Sequence, residues 1–142
     1  MIYADNAATT ALDIDAFEAM KPYLLKEYGN ASQPYSFARP AKKALAAARK
    51  TIADCIGAQP EEIFFTSGGT ESDNWAIKGT LQYGDGRSIL TSQIEHHAIL
   101  NACAAVERLG YPVTYLWVDK EGVVTPSTLN KVITDNTKLV SI

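Results

Sequence analysis

The stretch Phe65-Thr66-Ser67-Gly68-Gly69-Thr70-Glu71-Ser72-Asp73-Asn74 limits the choice of folds more than any other part of this chain. It joins a short apolar run, Ile63-Phe64-Phe65, to residues that favour the first turn of a helix. Gly68 and Gly69 let the backbone turn tightly and approach a ligand with no Cβ in the way. The helix N-terminus that follows offers unpaired N–H groups and a partial positive charge. Ser67, Thr70 and Ser72 add hydroxyl donors at the same place. Such a junction suits a phosphate, although the same residues also serve a plain strand-to-helix turn with a Ser/Thr cap. The first lysine after the glycine pair is Lys78 and no Gly-x-Gly-x-x-Gly is present, so the loop is neither a P-loop nor a dinucleotide fingerprint. A smaller cofactor held by a single phosphate fits better than ATP, GTP or NAD.

The rest of the chain alternates strand and helix signals without repeats or low-complexity linkers. Asp13 can cap a helix presenting Ile14, Phe17 and Leu24, which Pro22 is expected to interrupt or restart. A loop over 34–40 precedes an Ala-rich helix, with Pro40 near its start and Gly57 closing it after Ile56. The pattern then predicts a strand over 63–66, a helix over 70–83, a strand over 88–92 and a helix over 97–109. A strand over 113–117, a turn at 119–122, a helix over 126–134 and a strand over 138–142 follow. This order of βαβ units predicts an α/β fold with a mostly parallel sheet and flanking helices. Ligands in such sheets bind beyond the carboxyl ends of the strands, where the Ser67–Thr70 loop is expected to lie.

Composition excludes several functions. The 142 residues are 46% hydrophobic, the content of one domain with a real core. A formal net charge of −3 gives no electrostatic support to a nucleic-acid or anionic-membrane partner. The one basic cluster, Arg39, Lys42, Lys43, Arg49 and Lys50, falls at helical spacing between alanines and reads as a solvated helix face. No apolar run approaches the ~20 residues that span a bilayer. The Met1-Ile2-Tyr3-Ala4-Asp5 start lacks the basic and apolar regions of a signal peptide, which points to a cytoplasmic location and an inert Asn30-Ala31-Ser32 sequon. Cys55 and Cys103 are neither paired in Cys-x-x-Cys nor near a His at ligand spacing, so no metal is expected. Cys55 sits beside Ile52 and Ile56, and Cys103 shares a stripe with Ile99, Leu100 and Val106, so both are expected to be small buried hydrophobes. Trp75 and Tyr83 read as packing.

Ser67-Gly68-Gly69-Thr70-Glu71-Ser72-Asp73-Asn74 closely resembles the Ser-Gly-Ala-Thr-Glu-Ser-Asp-Asn loop of cysteine desulfurases. These are fold type I, class V aminotransferase-related enzymes that use pyridoxal 5'-phosphate. Four more segments resemble the family in the right order. Asp5-Asn6-Ala7-Ala8-Thr9-Thr10 is similar to its Asp-x-x-Ala-Thr-Thr, and Tyr28-Gly29-Asn30-Ala31-Ser32 to its Gly-Asn-Pro-x-Ser. Glu95-His96-His97-Ala98-Ile99-Leu100 resembles Glu-His-x-Ala-Val/Ile-Leu, and Leu139-Val140-Ser141-Ile142 the start of Leu-Val-Ser-Ile-Met. The family's pattern continues through an Asn-Asn-Glu, an Asp for the pyridine nitrogen, a Ser-x-His-Lys with the cofactor-binding lysine, and a loop with the nucleophilic cysteine. None of these occurs here, so the chain is expected to be a fragment or truncated product, inactive alone. A terminal strand Leu139–Ile142 without a following turn is expected to leave sheet edge and apolar surface exposed.

The resemblance implies an N-terminal arm over 1–15 and the first, incomplete part of the cofactor-binding large domain over 16–142. It implies cofactor binding by Ser67, Gly68, Gly69, Thr70 and His96, with the His96 ring stacked on the pyridine ring and able to join proton transfer. Taken without the family, a His after a strand is a surface or capping residue. Glu95 either orients His96 or is an exposed carboxylate, and His97 faces elsewhere. Asn6, Ala8, Thr9 and Asn30 are substrate-site candidates, the last also explained by turn chemistry. The implied activity removes sulfur from L-cysteine, giving L-alanine and an enzyme persulfide for an iron–sulfur scaffold or thiolation partner, in a homodimer. A selenocysteine lyase, an aminotransferase and a non-catalytic phosphate-binding α/β module remain the alternatives.

Overall fold

The computed structural model describes residues 2–81 and 87–142. These divide into two compact units, Met1–Phe64 and Phe65–Ile142.

In the first unit, Asp13 caps α1 (Ile14–Leu25), its carboxylate accepting from the N–H groups of Asp15 and Ala16. Pro22 does not break this helix as expected. It removes one intrahelical donor, yet the helix runs three residues further and Lys26 N–H bonds to the Pro22 carbonyl. No α1 side chain is buried, so the carbonyl deprived of its partner lies on a solvent-washed helix. The expected loop before α2 contains a 3-10 turn, Ser36–Ala38, and α2 (Arg39–Ile56) carries Pro40 in its first turn. Gly57 closes α2 in the left-handed conformation (φ 70°), where a glycine costs nothing sterically. Gly29 serves a different purpose: a Cβ there would sit 2.5 Å from the Phe37 carbonyl oxygen. Close approach of the two backbones therefore demands glycine, and it brings the Tyr28 and Phe37 rings edge to face at 5.2 Å.

The second unit holds a three-stranded parallel sheet in the order β2-β1-β3, with β1 Ser88–Ser92, β2 Val113–Leu116 and β3 Thr137–Ser141. β1 is central and buried from Ile89 to Ser92, whereas the edge strands β2 and β3 are largely half-exposed. Helices α3 (Gly69–Thr80) and α4 (His97–Arg108) pack together, and Ile77 and Leu81 join Ile89, Ile99, Ala102, Cys103 and Val106 in one core. The α/β class and parallel sheet agree with the sequence reading.

Four expectations are corrected. Residues 63–66 form no strand of this sheet; Ile63 has extended dihedrals, but β1 takes both its partners from β2 and β3. The helix over 126–134 is only α5 (Pro126–Asn130), since Thr134 instead accepts the Asn136 N–H in a local turn. Cys103 is buried, but Cys55 is exposed: within the first unit Leu45, Ile52 and Ile56 are themselves uncovered, leaving the thiol no apolar bed. The core is likewise confined to the second unit, the only buried apolar side chains before Phe65 being those of Ala38 and Ala53 among the described residues. The basic residues of α2 are solvated as expected, except that Arg49 is half-buried and donates from Nε to the Ile63 carbonyl at 3.0 Å. Trp75 is 53% exposed, its ring covering the open side of Gly79. The expected end of α3 at 82–83, with Tyr83, lies outside the described residues.

Candidate functional site

β1 leaves the sheet at its topological switch point. From its carboxyl end the chain passes through α4 to β2 on one side, then through α5 to β3 on the other. Ligands of open α/β sheets bind at such switch points. His96 stands four residues after Ser92 in this connection and is the N-cap of α4. Its Nδ1 accepts the Ala98 N–H at 3.1 Å, which leaves Nε2 to carry the proton of the neutral ring. The imidazole is exposed. Glu95 does not orient it through any described bond; Glu95 Oε1 accepts from the buried Ser92 hydroxyl at 2.8 Å and fastens the connection to the end of β1. His97 lies in the first turn of α4, exposed, its ring edge to face with that of His96 at 6.3 Å.

At the start of α3 the backbone forms a cradle of N–H donors. Gly68 is the N-cap, with φ 155° and ψ 179°, a conformation that an L side chain rarely adopts. The Ser72 N–H is the first to find a carbonyl, that of Gly68, so the amides of Gly69, Thr70 and Glu71 point out of the helix end without intrahelical partners. A Cβ on Gly69 would meet nothing within 4 Å, so the second glycine is not sterically required, and the open space lies beside the free amides. Such a donor set, with the Thr70 hydroxyl beside it, fits a phosphate.

Ser67 and Glu71 brace this turn, a link not apparent from Ser67's place before the glycines. Ser67 does not present free donors: its N–H and Oγ both donate to Glu71 Oε2, at 2.6 and 2.7 Å. These two bonds hold the Glu71 carboxyl below its usual pKa, the hydroxyl contributing more than the amide. One residue further out, Thr66 Oγ1 and Ser72 Oγ share a 2.7 Å hydrogen bond. The signal was present as an acidic residue four positions after a serine in a helix's first turn, a capping box displaced by one residue.

The remaining candidates lie in the first unit. A turn at Asp5 carries Asn6, Ala8 and Thr9, with the Ala8 and Thr9 amides donating to the Asp5 carbonyl at 3.1 and 3.4 Å, all exposed. Asn30 Oδ1 accepts the Ser32 N–H at 2.9 Å, the local turn chemistry that its sequence also allowed. Among the described residues no helix is long and apolar enough to cross a membrane.

A family model described as aminotransferase class-V matches residues 2–142. The chain belongs to that family. It is 50% identical to a cysteine desulfurase IscS of Methanosarcina thermophila over 99% of this chain and 35% of the relative. It is 48% identical to a cysteine desulfurase IscS of Dictyoglomus turgidum over 99% of this chain and 36% of the relative. Among solved structures, a NifS-like protein superposes with a TM-score of 0.91 at 36% identity, covering 96% of this chain and 38% of the other. A structure described as SspA in complex with cysteine gives 0.91 at 38% identity, covering 97% and 40%. The chain thus spans little more than a third of the length of the relatives it matches.

Proposed function

We propose that the complete protein is a cysteine desulfurase, which converts L-cysteine to L-alanine with transfer of the sulfur to an enzyme thiol. The observation that carries this reading is the identity of about half, sustained from end to end of the chain, to relatives that bear that name. A structural neighbour described as complexed with cysteine supports the substrate.

The cradle suits pyridoxal 5'-phosphate, whose ring supplies an electron sink for the substrate's α-carbon when bound. Gly69 and Thr70 offer it backbone N–H groups, Thr70 a hydroxyl, and Gly68 the turn that aims them, with Ser67 anchoring the turn. His96 lies at the switch point with an exposed ring, suited to stacking, and with Nε2 available to pass a proton. Asn6, Ala8, Thr9 and Asn30 are assigned to the substrate side of the site, and the large domain is taken to begin after an arm over 1–15. The persulfide sulfur goes to an iron–sulfur scaffold or another acceptor protein, and the enzyme is a cytoplasmic homodimer.

The test is an assay of the complete protein with L-cysteine, following alanine and persulfide. Alanine formation is the expected result. Turnover of selenocysteine without cysteine, or of an amino-group acceptor instead, would replace the reading with another class V activity. The isolated 142-residue chain is expected to release no sulfide above the free-cofactor background, because it carries no lysine in the Ser-x-His-Lys context.

A further inference from the structure

The loop offered to the phosphate contains two consecutive glycines, the residues that lose most conformational freedom on ordering. An anion that must first freeze such a loop binds weakly, since the ordering is charged against its affinity. In this chain the loop is ordered by side chains on both flanks. Ser67 and Glu71 close an inner rung across Gly68, Gly69 and Thr70, and Thr66 and Ser72 close an outer one. The Thr66 hydroxyl also lies 3.2 Å from the Gly68 carbonyl, the same carbonyl that receives the Ser72 N–H.

The inner rung poses a choice. A carboxylate next to a phosphate cradle either occupies the place of the anion, and must leave before it binds, or holds the cradle in shape while the anion binds elsewhere on it. The bonding favours the second. Glu71 takes the Ser67 amide and hydroxyl, which precede the turn, and the amides of Gly69 and Thr70 remain outward. Its charge is fully solvated, so its repulsion of a nearby phosphate is strongly screened, whereas the two bonds to Ser67 act at contact distance.

We propose that Glu71 is a positioning residue, holding Ser67 so that the Gly68–Gly69 turn is already in its phosphate-receiving form before the cofactor arrives. This rests on the proposed cofactor site. The complete protein and its Glu71→Ala and Glu71→Gln variants would be compared by equilibrium dialysis of pyridoxal 5'-phosphate and by hydrogen exchange at the Ser67 amide without cofactor. Glu71→Ala is expected to lose Ser67 protection and to weaken cofactor binding about tenfold, on the scale of releasing one ordered backbone residue. Glu71→Gln keeps an acceptor for Ser67 and loses the charge, so its protection should survive and its affinity should equal or exceed that of the unaltered protein. Tighter binding in both variants would overturn the proposal and make Glu71 a competitor of the phosphate. Unchanged binding in Glu71→Ala would overturn it as well. If the unaltered protein bound no cofactor, the proposed function would fail instead, and exchange at Ser67 in Glu71→Ala would alone decide whether the carboxylate orders the turn.

Discussion

The imidazole of His96 and the backbone of Ala98 are joined by a 3.1 Å hydrogen bond in which Nδ1 accepts the Ala98 N–H. One side chain thus caps α4 and presents a ring at the end of the central strand. Two effects of His96→Ala follow in the complete enzyme: turnover falls by roughly 10² or more through loss of a positioned acid or base, and the helix loses a cap worth about 1 kcal/mol. His96→Asn separates them, because asparagine restores the cap without the ring, so thermal stability should recover while turnover does not. His97→Ala should change neither by much; if it proved more damaging to turnover than His96→Ala, the site would be displaced by one residue.

Thr70 carries a hydroxyl in the first turn of α3, among the amides left without intrahelical partners. Thr70→Ala should weaken cofactor retention by about 1 to 2 kcal/mol, as for one hydrogen bond to a charged group. Equilibrium dialysis measures this, and unchanged affinity would mean that the hydroxyl faces away from the phosphate.

The glycines of the cradle and of the first unit should respond in distinct ways. Gly68→Ala forces a side chain into the φ 155° conformation and should cost stability and cofactor affinity together. Gly69→Ala meets no atom and places a better helix former in the first turn, so the melting temperature should hold or rise with binding intact. The resembling family carries alanine at this position. Gly29→Ala drives a Cβ into the Phe37 carbonyl and should destabilise by about 1 to 3 kcal/mol, the range for overpacking. A melting temperature unmoved by Gly29→Ala would contradict the close approach at Phe37.

The two thiols should separate cleanly in alkylation. Burial, then the nearby Glu107 and Glu95 carboxylates, push the Cys103 thiol above its usual pKa, whereas Cys55 is exposed. Mass spectrometry of the native protein after brief iodoacetamide treatment should find Cys55 modified and Cys103 intact until denaturant is added. Tyr115, which donates to Glu107 at 2.7 Å, is also raised, first by desolvation and then by that carboxylate. Both groups hold their protons more tightly folded than unfolded. Their stabilising contribution is therefore complete below the unfolded pKa values, about 8.5 for the thiol and about 10 for the phenol, and is lost as pH rises through the folded ones. Denaturant midpoints should fall on the alkaline side, less so in Cys103→Ala.

The sequence disclosed elements whose signals are local. Asp13 and Gly57 bound their helices as their chemistry dictates, and 88–92 reads as a strand, its burial from Ile89 to Ser92 following from its central place in the sheet. Glycine and capping residues likewise disclosed the helix start at Gly68. What escaped depends on partners distant in sequence. The apolar run at 63–66 has a strand's composition, but only a neighbour makes a strand, and β1 has both sides taken. Cys55 has apolar neighbours in sequence and none that bury it in space. Ser67 is a different case: its partner Glu71 is only four positions on, and the engagement was readable as a capping box displaced by one residue.

The central place of β1 has a consequence for biosynthesis. Leaving the ribosome, Ile89 and Leu90 must wait for 24 further residues before Val113 and Thr114 can pair with them, and about 50 before Leu139 and Val140 can. Parallel pairing across such separations forms slowly, so the most deeply buried strand of the sheet is born first and shielded last. For that interval its protection falls to α4, whose Ile99, Cys103 and Val106 are translated within two turns of one helix and share a core with Ile89. Polar substitutions along that helix face should therefore lower the yield of soluble nascent chain beyond what they cost the finished fold.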